Sequence, residues 1–210
     1  GAMGKAMGEA ICGEYAPLIV EHAKPVIKEF IKDTYGITEK KVKFSVPERG
    51  ESVGVFHEVF DKVLKYVLGG TPVLLVGEAG TGKNVIAEQV AEAMGVPFYF
   101  TNKVSDEYQL KGFVDANGVY QETPLYKGMK DGGVFMFDEI DASDPSSLVV
   151  ANSILANGYY TFPNGEFVKA HKDFRMIAGA NTWGTGATYQ YTGRNQLDGA
   201  TRNRFMAVDL

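Results

Sequence analysis

Apolar residues along this chain recur first at helical spacing and later in short unbroken runs, and the alternation of the two patterns is its main structural signal. Between Tyr15 and Tyr35, the residues Leu18, Ile19, Val20, Ala23, Ile27, Phe30 and Ile31 predict a helix that Gly36 closes and Pro25 kinks or divides. The stretch "KKVKFSVP" sets Val42, Phe44 and Val46 against polar neighbours, predicting a short strand, and Pro47–Gly54 reads as a loop. From Phe56 to Leu68, apolar residues at Phe56, Val59, Phe60, Val63, Leu64, Val67 and Leu68 predict an amphipathic helix ended by Gly69-Gly70. The run Val73–Val76 is continuous, as suits a strand buried on both faces of a parallel sheet.

The rest of the chain keeps this rhythm. Helices are expected over Lys83–Met94 and Pro145–Ala156, and strands over Phe98–Thr101, Val134–Phe137, Arg175–Ala180 and Phe205–Val208. Strands alternating with helices imply right-handed crossovers and an α/β fold with a parallel sheet. Two intervals break the pattern, Gly112–Pro124 and Tyr159–Lys169. Each carries Asn-Gly between β-prone residues and predicts a hairpin.

Composition narrows the class. A chain of 210 residues, 45% hydrophobic, can bury one full core with a small appendage. Residues 1–4 read as a cloning scar, 5–50 as an N-terminal helix-and-strand extension, and 51–210 as the core. A net charge of -5 and a pI near 5.3 argue against a generally basic nucleic-acid binder. Cys12 has no partner in the chain, and no secretory signal or membrane-length apolar run is visible, so a reducing, cytoplasmic setting is expected. His22, His57 and His171 lack metal-ligand spacing and read as structural.

Four stretches carry chemistry. The first, "GEAGTGKN", covers Gly77, Glu78, Ala79, Gly80, Thr81, Gly82, Lys83 and Asn84, followed by Val85. It follows a buried strand and opens a helix, so glycine-permitted backbone N–H groups, a helix N-terminus and the Lys83 ammonium converge on a polyphosphate. The second, "GGVFMFDEIDASD", ends a strand in Asp138 and Glu139. Asp138 suits holding Mg²⁺, and Glu139 suits deprotonating a water that attacks a γ-phosphate. In the third, Asn181 ends "FRMIAGAN" and offers both a donor and an acceptor to that water or phosphate. The fourth, "LDGATRNRF", presents Arg202 and Arg204, whose planar forks match phosphate oxygens and can act in trans.

In this order the four elements resemble the AAA+ ATPases: Walker A, Walker B, sensor 1 and an arginine finger. The resemblance covers Gly54–Leu210. The two hairpins, with "AHKDFRMIAGANT" and "GRNQLDGATRNRF", look most like the MoxR and dynein-related branch, including phage and prophage ATPases and cobaltochelatase ATPase subunits. It implies a P-loop NTPase three-layer αβα sandwich with sheet order 5-1-4-3-2. It also implies ATP and Mg²⁺ as ligands, a homo-oligomeric ring, and Arg204 rather than Arg202 as the finger, since the family's finger most often directly precedes the phenylalanine. Hairpins in this branch tend to face the pore or partner, which gives Tyr120, Tyr159, Tyr160 and Phe162 a gripping role or a packing one.

Two departures shape the expectations. The chain stops at Leu210, so the C-terminal lid with sensor 2 is expected to be absent and the lidless chain monomeric. Asn84 replaces the hydroxyl that usually holds Mg²⁺; its amide oxygen can serve as a metal ligand alongside Asp138. Two activities stay open: an ATP-driven remodeller of a protein partner, and a nucleotide-dependent assembly module with little turnover. A DNA-acting motor using Lys111 and Lys127 ranks lower, as does a small-molecule kinase.

Overall fold

Backbone pairing explains most of what the hydrophobic pattern foresees. The computed structural model describes residues 21, 23–42 and 52–210. These fall into two compact units, one made of the described residues up to Lys41 with Val53–Glu58, the other of the rest.

In the smaller unit, residues 23–35 are helical (α1), with Pro25 inside the helical stretch. The strand expected in "KKVKFSVP" lies mostly outside the described residues; the strand present is β1 (Ile37–Val42), paired with β2 (Ser52–His57) in a two-stranded sheet. Two expectations need correcting here. Ser52–Gly54, read as loop, is strand, and the helix expected from Phe56 begins four residues later, as α2 (Phe60–Leu68). Phe56 fell in step with the helical series by coincidence. It lies in β2, buried between an exposed Val55 and a buried His57.

The larger unit is built on five parallel strands: β3 (Val73–Val76), β4 (Phe98–Thr101), β7 (Gly133–Phe137), β10 (Phe174–Ala180) and β11 (Met206–Asp209). Their order is β11-β3-β10-β7-β4, which is the expected 5-1-4-3-2. Alternate residues face opposite layers. Leu74, Val76, Phe135, Phe137, Met176 and Ala178 pack in one cluster with residues of α5 (Pro124–Asp131) and α6 (Pro145–Asn157). The intervening Val73, Leu75, Val134, Met136 and Ile177 are also buried, and α2 and α3 (Lys83–Met94) lie against these strands. Helices on both faces give the three-layer α/β sandwich.

Both hairpins are present. β5 (Phe113–Val114) pairs antiparallel with β6 (Tyr120–Gln121), and β8 (Tyr159–Thr161) with β9 (Phe167–Lys169). Flanking the first of them, α4 (Tyr108–Lys111) and α5 are helices that apolar spacing alone does not foretell. For α5 a signal existed in "TPLY": the Thr123 side chain accepts from Tyr126 N and Pro124 occupies the first turn, a regular helix start.

The hairpin aromatics divide. Phe162 is buried and Tyr126 meets it edge-on at 4.9 Å, while Tyr120 and Tyr160 approach the same pair at 5.1 Å each. The Tyr120 hydroxyl donates to Lys111 O, and burial pushes its phenol well above the ordinary range. Tyr120, Tyr160 and Phe162 are therefore packing residues. Tyr159 is exposed, tilted over an exposed Phe167.

Candidate active site

Strand register gathers the site. β10 lies between β3 and β7, with Ala180 opposite Val76 and Ala178 opposite Phe137. One residue further along each strand come Asn181, Gly77 and Asp138, side by side at the carboxyl edge of the sheet. Open parallel sheets bind ligands at such an edge.

The turn after β3 is shaped by Gly80 and Gly82, with φ of 88° and 86°, a region that disfavours side chains. It delivers Lys83 at the start of α3. Lys83 is only 7% exposed, and its ammonium donates to Gly77 O at 2.8 Å, Glu78 O at 2.9 Å and Asn181 Oδ1 at 2.8 Å. Burial pushes its pKa down, while Asp138 and Asp141 oppose the shift. Gly77 N donates to Ala180 O and Thr81 Oγ1 to Glu78 O, which fixes the loop against the sheet.

Asp138 follows β7. Its Oδ1 accepts from Glu139 N at 2.9 Å and its Oδ2 from Asn84 Nδ2 at 2.9 Å. A side chain at Gly179, on the neighbouring strand, would overlap Asp138 Oδ1 and crowd Met136 Cε, so β10 must be bare there. Glu139 has φ 51°, the only non-glycine residue with positive φ among those described. Left-handed backbone at a glutamate costs of order 1–3 kcal/mol and persists where surrounding bonds enforce it. Here the Glu139 carbonyl accepts from Ala142 N at 2.9 Å and Ser143 Oγ at 3.1 Å.

Ala79, Gly80, Gly82, Lys83, Asn84, Val85, Asp138, Glu139 and Asn181 line one open cavity of about 390 Å³. Outside this lining are Gly77, Glu78 and Thr81; Lys83, Asp138, Glu139 and Asn181, all foreseen around a γ-phosphate, are on its wall. Arg202 and Arg204 are not. They belong to α7 (Gly199–Arg202) and the turn after it; Arg202 is exposed, and Arg204 Nη1 donates to Ala200 O.

Residues that the sequence reading did not single out bond to Glu139 and Asn181 from outside the cavity's lining. The 3-10 turn Ile140–Ala142 after Glu139 buries Asp141 completely. Its Oδ2 accepts from Asn181 N at 3.1 Å, Thr182 N at 3.0 Å and Thr182 Oγ1 at 2.9 Å. Arg194 donates through Nη1 to Asp141 Oδ1 at 3.2 Å and through Nη2 to Glu139 Oε1 at 3.0 Å. These pairs span more than fifty residues of chain, beyond any local pattern. The one hint was a third acid two positions after Glu139, set between the apolar Ile140 and Ala142.

The donor set suits Mg²⁺ with a polyphosphate. Mg²⁺ takes oxygen ligands, often one or two carboxylates completed by phosphate and water. Asp138 supplies a carboxylate whose oxygens each accept one bond and have capacity for more, and Asn84, donating through Nδ2, still carries an amide oxygen. Among the described residues no cluster of three or more His, Cys, Asp or Glu could hold a metal without such help.

The model of the family described as AAA domain (dynein-related subfamily) matches residues 72–205, from just before β3 to the start of the last strand. The chain belongs to this family. Curated relatives of this AAA domain include uncharacterised proteins of Staphylococcus aureus strains USA300 and NCTC 8325. Each is 31% identical over 154 residues, covering 66% of this chain and 54% of the relative. The chain thus spans about half the length of the curated relatives it matches. Among solved structures, NtrX from Brucella abortus superposes with a TM-score of 0.57 at 17% identity, covering 71% of this chain and 34% of that one. A RuvB variant from Thermotoga maritima gives 0.50 at 16%, covering 74% and 45%. At such identities the likeness concerns the fold. It agrees with an AAA-type P-loop module. No helix of the described residues is long and apolar enough to cross a membrane.

Proposed function

We propose that this AAA domain binds ATP with Mg²⁺ in the cavity at the sheet edge, hydrolyses it, and couples nucleotide state to ring assembly and the remodelling of a protein partner. The observation that carries the reading is the convergence of Lys83, Asp138, Glu139 and Asn181 on one cavity. The backbone N–H groups of Gly80–Lys83 and the α3 N-terminus receive the phosphates, and Lys83 exchanges carbonyl partners for phosphate oxygens. Asp138 and Asn84 would hold Mg²⁺, which when bound screens the phosphate charge. Glu139 accepts a proton from the attacking water, and Asn181, fixed to Lys83, orients that water or the γ-phosphate.

Arg204, with Arg202 as the alternate, would reach the nucleotide of a neighbouring copy, a role that agrees with their place outside this cavity. Within the subfamily, the two hairpins and "GRNQLDGATRNRF" favour MoxR-like and phage-type relatives. Nucleic acid is the weaker partner: Lys111 and Lys127 are paired with Glu107 at 2.6 Å and Glu122 at 3.9 Å.

The test is titration of the full chain with a non-hydrolysable ATP analogue, alongside phosphate release. Lys83→Ala removes a charge-assisted bond network, so analogue affinity should drop by roughly 10- to 100-fold, at about 1.5–3 kcal/mol for such bonds. Equal affinity in wild type and variant would rule out this cavity as the nucleotide site.

A second reading, assembly without appreciable turnover, is favoured by one observation: Asn84 turns its amide nitrogen toward Asp138. Asn84→Thr restores a hydroxyl. On the hydrolytic reading its kcat changes by no more than about threefold; a rise on the order of 100-fold would favour the assembly reading instead.

A further inference from the structure

We propose that Arg194 is a positioning residue that sets the Glu139 carboxylate for its reaction and locks it to the peptide that carries Asn181. The proposal rests on the hydrolytic reading above. The 3.0 Å contact from Arg194 engages one oxygen of Glu139, whose side chain is 33% exposed and lines the cavity. The second arm of the same guanidinium grips Asp141, which is wholly buried and also holds the amides of Asn181 and Thr182. One buried charge therefore fixes both the proposed base and the proposed orienting amide.

Arg194 is itself immobilised, with a side chain 11% exposed and its guanidinium 5.7 Å from the centre of the Tyr191 ring. Next to it, Asn195 N donates to Asp141 O at 2.6 Å and Asn195 Nδ2 to Ser143 O at 2.9 Å. The loop is thus tied at three adjoining points to the turn after Glu139. Tyr191 reaches the phosphate loop too, its hydroxyl accepting from Ala79 N at 3.3 Å. A planar fork spanning two carboxylates has a geometry that a lysine ammonium reproduces only in part.

A surface ion pair would do nothing for catalysis, and a purely structural one would affect folding and binding along with turnover. The discriminating variant is the pair Arg194→Gln with Asp141→Asn, which replaces the wholly buried ion pair by two neutral amides and leaves only the part-exposed Glu139 carboxylate without its cation. In the full chain, kcat is expected to fall about 10- to 100-fold, with KM, analogue affinity and melting temperature near the wild-type values. Arg194→Lys, keeping the charge at one contact, is expected to recover part of that loss. A kcat lowered by less than about fivefold overturns the proposal, as does a loss shared with affinity and melting temperature. Failure of the hydrolytic reading looks different: wild type and Glu139→Gln would then release phosphate equally, and the positioning role falls with it.

Discussion

Glu139→Gln is expected to release phosphate roughly 100- to 10,000-fold more slowly than the wild type, the range over which a positioned general base acts. The amide keeps the size of the carboxylate and can still accept a bond from Arg194, yet it cannot take a proton from water. Analogue binding should be unchanged within about twofold, because the phosphate-facing groups on the α3 side contribute nothing through Glu139. Single-turnover phosphate release together with equilibrium titration measures both quantities. A variant that turned over at the wild-type rate would remove Glu139 from the chemistry, whatever its place on the cavity wall.

The second large effect concerns stability. Asp141→Ala is expected to destabilise the fold by about 3–5 kcal/mol, the cost of breaking a buried ion pair by deleting one partner. The substitution leaves two backbone amides and the Thr182 hydroxyl without their acceptor, and Arg194 facing Glu139 alone. Denaturant titration should show a lower midpoint with little change in slope, since the surface exposed on unfolding is the same. A loss below about 1 kcal/mol would mean that water enters to replace the carboxylate, in the way exposed pairs contribute little.

What could be read from the chain, and what could not, follows from distance along it. The buried run Val73–Val76, the glycines of the next turn and the helix Lys83–Met94 are consecutive, so their pattern and chemistry reinforce each other. The tips bearing Asp138 and Asn181 were legible for the same reason: each ends an apolar run, and the family order of the sheet brings the runs together. The clamp formed by Arg194, Asp141 and Glu139 was not. It depends on a loop folding back across more than fifty residues, and an arginine amid polar neighbours looks like any exposed one. β2 was missed for a different cause, since Phe56 falls in step with the helical series Val59, Phe60 and Val63 that follows it. For α5, the cap residues Thr123 and Pro124 were adjacent but were absorbed into the hairpin they follow.

The ring of Tyr126 meets an aromatic from each insertion, Tyr120 of one and Phe162 of the other, while its own helix packs against β4 and β7. Lys130, one turn along, donates to the Tyr126 hydroxyl and to Glu166 near the tip of the second hairpin. The two projections are consequently joined to each other through Tyr126 and Lys130, and through α5 to the strand that precedes Asp138 and Glu139. On the proposed nucleotide cycle, a shift of that strand is expected to carry both tips together.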